Sequence, residues 1–107
     1  MKDRVNVLGT GYEIRHEELM GEDADGYCDP TSKVITIRSD NTNKVQDFEE
    51  LQRVTLRHEI IHAFMFESGL GASWQHAEEF GHDKTTVDWF ARQFLKIYKA
   101  FVEVGCF

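Results

Sequence analysis

Proline, cysteine and long apolar runs are all scarce in this chain of 107 residues. The single proline, Pro30, leaves the rest of the chain free to form uninterrupted helices and hairpins. The two cysteines, Cys28 and Cys106, lie far apart in sequence. They supply neither a disulfide framework nor the closely spaced thiols of a cysteine zinc site, and both are expected to be reduced. Cys28 falls in a Gly-Tyr-Cys-Asp-Pro stretch and is expected to be an ordinary loop cysteine, with approach to a metal as the alternative. No apolar stretch approaches the ~18 residues of a membrane span. Residues 1–4 lead into a strand-like run and not into the apolar core of a signal peptide, so a cytoplasmic location is expected. Basic charge is also short: the net charge of −7 disfavours nucleic-acid phosphate and anionic membrane surfaces, and suits a basic protein segment better. With no repeat, linker or low-complexity tract, one domain over 1–107 is expected.

The pattern along the chain predicts an α+β fold. Residues 4–8 alternate as a short strand, Gly9-Thr10-Gly11 is a turn, and 12–15 return as the second strand of a hairpin. Residues 17–26, with acids and two glycines, read as an exposed loop. Residues 33–38 alternate with β-branched side chains and form the clearest strand. N-cap candidates at 39–43 precede a helix predicted over 44–67, with an apolar stripe through Val45, Phe48, Leu51, Val54 or Thr55, Ile61 and Met65. Glu49 and Arg53 stand at i,i+4 on its outer side, and Gly69 is a fitting residue just past its end. A short turn at 73–80 and a last helix over 84–103 follow. The stripe of that helix, Val87, Phe90 or Ala91, Phe94, Ile97 or Tyr98 and Phe101, is expected to be core. Trp74, Phe80, Trp89 and Phe107 are expected inside as well. The pairs Glu17-Glu18, Glu49-Glu50 and Glu78-Glu79 read as solvated faces.

One motif carries chemistry. His58-Glu59-Ile60-Ile61-His62 is H-E-x-x-H within the long predicted helix. Positions i and i+4 share a helix face, so both imidazoles can reach one Zn²⁺, and Glu59 can then act as general base on water. His16-Glu17 offers a contrast: Met20 stands where the second His would be, so that pair carries no metal reading.

A small, mostly antiparallel sheet, a long H-E-x-x-H helix and a C-terminal helix together resemble a minimal zincin fold. Residues 56–64 followed by Val87-Asp88-Trp89-Phe90-Ala91 look most like small phage-associated metallopeptidase-like proteins, distantly similar to the ImmA/IrrE group. That resemblance implies proteolysis of a protein substrate such as a regulator, with the strand at 34–38 in the role of the edge strand that binds extended substrate. It also implies a third ligand on the second helix, where Lys84 now stands one turn before Asp88. An ammonium does not ligate zinc. Asp88 is the preferred substitute, either as ligand or as a carboxylate hydrogen-bonded behind His58 or His62. His82 is a second candidate. His76, in His-Ala-Glu-Glu-Phe, is a third, similar to the third-ligand segment of SprT-like proteases but with Ala77 in place of glycine. Glu79 and Asp83 have no supporting pattern.

The expected function is zinc-dependent peptide hydrolysis with His58, His62 and Asp88 on the metal and Glu59 as base. Lys84, His82 and Tyr27 are alternatives for stabilising the oxyanion. Two rivals stand beside it: a degenerate zincin fold, motivated by Lys84, that binds metal or protein without catalysis, and a small regulatory protein acting through its aromatic surface.

Overall fold

The computed structural model describes residues 2–69 and 84–106; for 84–88 and 91 only the backbone is described. Four strands and two helices follow in the order β1 (Arg4–Val7), β2 (Thr10–Glu17), β3 (Gly26–Asp29), β4 (Val34–Arg38), α1 (Phe48–Glu67) and α2 (Lys84–Val104). The architecture is α+β. The strand order is β1-β2-β4-β3, with β1–β2 and β3–β4 antiparallel and β2–β4 parallel, so the sheet is mixed. A tight hairpin joins β1 to β2, with Leu8 and Gly9 both at positive φ. The chain then crosses to the far edge as β3 and returns as β4 between β3 and β2.

This order corrects one expectation. The strand over 34–38 is not an edge: β4 has neighbours on both sides, and all five of its residues are buried. Its polar residues Thr36 and Arg38 are buried too, at 2% and 4% exposed. Arg38 tolerates burial because its guanidinium binds Asp40 at 2.9 Å and the Glu22 and Ala24 carbonyls at 2.6 and 2.9 Å. The edge next to α1 is β3, four residues long, inside a stretch that the sequence suggested was turn and loop.

Alternating side chains from three strands, Val5 and Val7, Tyr12 and Ile14, Ile35 and Ile37, form one apolar face. Leu56, Ile60, Ala63 and Phe64 of α1 and Ile97, Ala100 and Val104 of α2 pack with them in a single core. The predicted stripe of α2 holds at Ile97, the alternative to Tyr98, and at Phe101, and fails at Phe94. Ile97 is buried and Phe101 packs against the core, but Phe90, Phe94 and Tyr98 are 42–49% exposed. Their rings stack as a ladder at 5.9 and 6.4 Å on the other side of the helix. Trp89 is partly buried, and its indole donates to Ser68 Oγ at 2.8 Å. Val87 and Ala91 of that stripe, and Trp74, Phe80 and Phe107, lie outside the described side chains.

Helix α1 starts four residues later than the spacing suggested. Asp47 is its cap, accepting from Glu50 N, while Asn41 and Val45 close a separate loop through two hydrogen bonds. Arg53 pairs with Glu50 at 2.8 Å, and not with Glu49. Gly69 does follow the helix in the left-handed region, at φ 86°. The last helical residue, Glu67, is an acid at the helix end that disfavours one. Its carboxylate accepts from Tyr12 OH at 2.7 Å, Lys33 Nζ at 2.9 Å and Thr10 Oγ1 at 3.0 Å, pinning α1 to β2 and to the β3–β4 turn.

Lys33, then Tyr12, hold the Glu67 carboxyl below its ordinary value of 4.5. Its stabilisation is therefore complete above the unfolded-state value and is lost as pH falls through the lower folded value. Thermal melts should show Glu67→Gln less stable than wild type by about 1–2 kcal/mol at pH 7. The gap should close as pH falls below 4.5; a gap independent of pH would contradict this role.

Candidate functional site

Two adjacent i,i+4 rows on α1 build the site. Thr55, Glu59, Ala63 and Glu67 form one row, of which the first three are buried. Val54, His58, His62 and Phe66 form the next, and all four are exposed. H-E-x-x-H thus straddles the border of the helix's buried face. Its two histidines lie on the open side and its glutamate, 7% exposed, on the covered side.

The histidines converge. His58 Nε2 and His62 Nε2 are 3.1 Å apart, with ring planes inclined at 70°. Two nitrogens on a tetrahedral zinc, each bonded at ~2.05 Å, stand about 3.3 Å apart. The pair is therefore already close to the spacing that one small cation requires. Burial, and then the charge of His58, lowers the pKa of His62 and favours the neutral, ligating imidazole. Burial raises the pKa of Glu59, partly offset by His58. A general base working near neutral pH gains from that shift.

Edge strand β3 forms the opposite wall. Gly26 makes the approach close: a Cβ there would stand 2.7 Å from the Thr36 carbonyl and 2.8 Å from Thr55 Cγ2. Two cavities open along the seam, and both reach Gly26, His58 and Glu59. One, of about 370 Å³, continues past Tyr27, Cys28, His62 and Phe66. The other, of about 300 Å³, runs toward Asp25, Leu51, Val54 and Thr55.

The structure brings His58, Glu59 and His62 together as the spacing required. It adds Cys28 and Tyr27 to the same wall. Cys28 is a strand residue and not a loop cysteine; burial, then Glu59, pushes its thiol up to about 12, so it stands there as a neutral thiol. Among the described residues, no group of three or more His, Cys, Asp and Glu side chains is arranged to hold a metal ion. Of the candidates for a third ligand, the side chain of Asp88, and His76 and His82 entirely, lie outside the described residues, as do Glu79, Asp83 and the side chain of Lys84. Sequence reasoning missed Asp25 and Gly26. Their only signal was the run Asp-Gly-Tyr-Cys-Asp, too short to show strand alternation.

The chain has no significant match among protein-family models, curated proteins or solved structures.

Gly26→Ala should lower stability in urea unfolding by about 1–3 kcal/mol, the usual cost of forcing atoms into a packed contact. Gly11→Ala, whose Cβ would meet only Arg4 Nη2 at 3.6 Å, serves as the control and should cost under ~1 kcal/mol. Equal losses would mean that the approach of β3 to α1 is not tight.

Proposed function

We propose that this protein is a zinc-dependent peptidase of the zincin type, acting on an extended protein or peptide segment. The observation that carries the reading is the pair of imidazole nitrogens 3.1 Å apart beside a buried carboxylate, all facing a cleft walled by an edge strand. His58 and His62 would hold the metal, with Asp88 the preferred third ligand ahead of His82 and His76. Two imidazoles and a carboxylate suit zinc. When bound, zinc supplies Lewis-acid polarisation of the scissile carbonyl and acidifies water.

The chain's own residues do the rest. The substrate lies along β3, which has a strand partner on one side only, and extends the sheet by backbone pairing. This gives β3 the role that the resemblance gave to 34–38. Glu59 takes the proton from the attacking water and then delivers it to the leaving amine. Burial of Glu59 keeps it poised for both transfers. Tyr27, on the cleft wall, is the described candidate for donating a hydrogen bond to the tetrahedral oxyanion.

Purified protein supplied with zinc and then freed of excess should retain about one zinc per chain by inductively coupled plasma mass spectrometry. His62→Ala should retain none. Glu59→Gln should keep the metal and lose peptide hydrolysis by at least about a hundredfold, within the usual contribution of a general base. Wild-type protein without zinc, or unchanged turnover in Glu59→Gln, would sink the proposal.

A further inference from the structure

The cavity on the Asp25 side of His58 has a composition of its own. Leu51 and Val54 give it apolar walls from α1, and Asp25 brings a carboxylate from the segment before β3. The Asp25 side chain is 43% exposed. Its nearest cation among the described residues, Arg38 Nε, stands 3.6 Å away, beyond hydrogen-bond range, and buried Nε has no hydrogen-bond partner. That guanidinium is already bound to Asp40 at 2.9 Å. One positive charge between two carboxylates leaves a net negative charge at the cavity mouth. Among the described residues, the surroundings do not reverse it. Residues 17–32 contain Glu17, Glu18, Glu22, Asp23, Asp25 and Asp29 and no lysine or arginine. On the helix side, Arg53 and Arg57 are both held by Glu50.

Resting on the peptidase reading of the same cleft, we propose that this cavity is a side-chain subsite for arginine or lysine, and that Asp25 sets the preference. A long basic side chain matches it part by part. Its methylene stem lies against Leu51 and Val54, and its charged head reaches the Asp25 carboxylate at the open end. A short or acidic side chain would leave the apolar wall uncovered or meet like charge. The substrate class is thus a basic peptide segment, in keeping with the chain's net charge of −7.

The test separates binding from catalysis. Zinc-loaded Glu59→Gln is titrated, by fluorescence anisotropy, into two labelled decapeptide pools. Both are randomised over alanine, serine, leucine and valine; one carries a central arginine and the other a central citrulline, its neutral isostere. The arginine pool should bind at least about tenfold tighter, within reach of one charge-assisted contact. Adding Asp25→Asn should bring the pools within about twofold, and Asp25→Glu should restore the difference. Equal affinities for the two pools, or binding of neither, overturns the proposal. Cleavage by wild type is scored separately. Cleavage with no basic preference removes this subsite and leaves the peptidase reading. Arginine-selective binding without cleavage keeps the subsite and removes the catalytic reading.

Discussion

The contact of Gly26 with Thr55 sets the width of the cleft, and most of what the protein can do follows from it. β3 pairs with β4 along one edge, and at Gly26 it packs against Thr55 of α1. Only a residue without a side chain allows both, because the Thr36 carbonyl and the Thr55 methyl already fill the space of a Cβ. Thr55 lies one turn before Glu59 in the same helical row. The approach that joins sheet to helix therefore also fixes how far Glu59 stands from the edge strand. Asp25 and Tyr27, on either side of Gly26, are carried to opposite ends of the seam.

Both ends of α1 are fixed by polar contacts. Asp47 caps its start, and Glu67 ties its end to Tyr12, Lys33 and Thr10. A carboxylate in the last turn opposes the helix dipole, and its three donors offset that cost only while the helix end sits against β2 and the β3–β4 turn. Arg57, one residue before the motif, donates to the Cys106 carbonyl at 3.0 Å and so joins the motif's turn to the end of α2. Gln52 donates to the Arg38 carbonyl at 3.1 Å nearer the start, and a helix tied to other elements at Gln52, Arg57 and Glu67 cannot easily rotate about its axis. Its rotation decides which of His58, Glu59 and His62 face the cleft.

Much of this was legible in the sequence, for reasons that differ by element. H-E-x-x-H spacing fixes the relation of His58 to His62 once the segment is helical, and the local pattern determined that it is. The hairpin of β1 and β2 and the strand at 34–38 followed from alternation and turn residues. What failed was whatever depends on neighbours distant in sequence. Val34–Arg38 was legible as a strand but was taken for an edge; that Arg38 is buried there depends on its bonds to Asp40 and to the Glu22 and Ala24 carbonyls, which alternation does not show. β3 was hidden in an acidic, glycine-containing stretch because four residues cannot show a period. Phe94 was misplaced in the α2 stripe because that helix has apolar residues on two sides. Periodicity alone does not say that Ile97 faces the core while Phe94 and Tyr98 face away.

Glu59 links the cleft to the energetics of the fold. A carboxylate placed among Thr55, Leu56, Ile60 and Ala63 lacks the solvation that it would have on the histidine side of the helix. Its upward-shifted pKa expresses that cost. A cation held by His58 and His62 would favour the charged carboxylate and offset part of it. On the proposed reading, metal binding, the protonation of Glu59 and the stability of α1 are thus linked equilibria. Asp25 and its acidic neighbours stand outside this linkage. Asp25 is partly exposed and lines the end of one cavity, so on the same reading it would shape which peptide enters without setting the protonation of the base. On that reading the division follows the two helical rows: the buried row carries the base together with packing, while the exposed row carries the metal ligands and, with the edge strand facing it, the recognition surface.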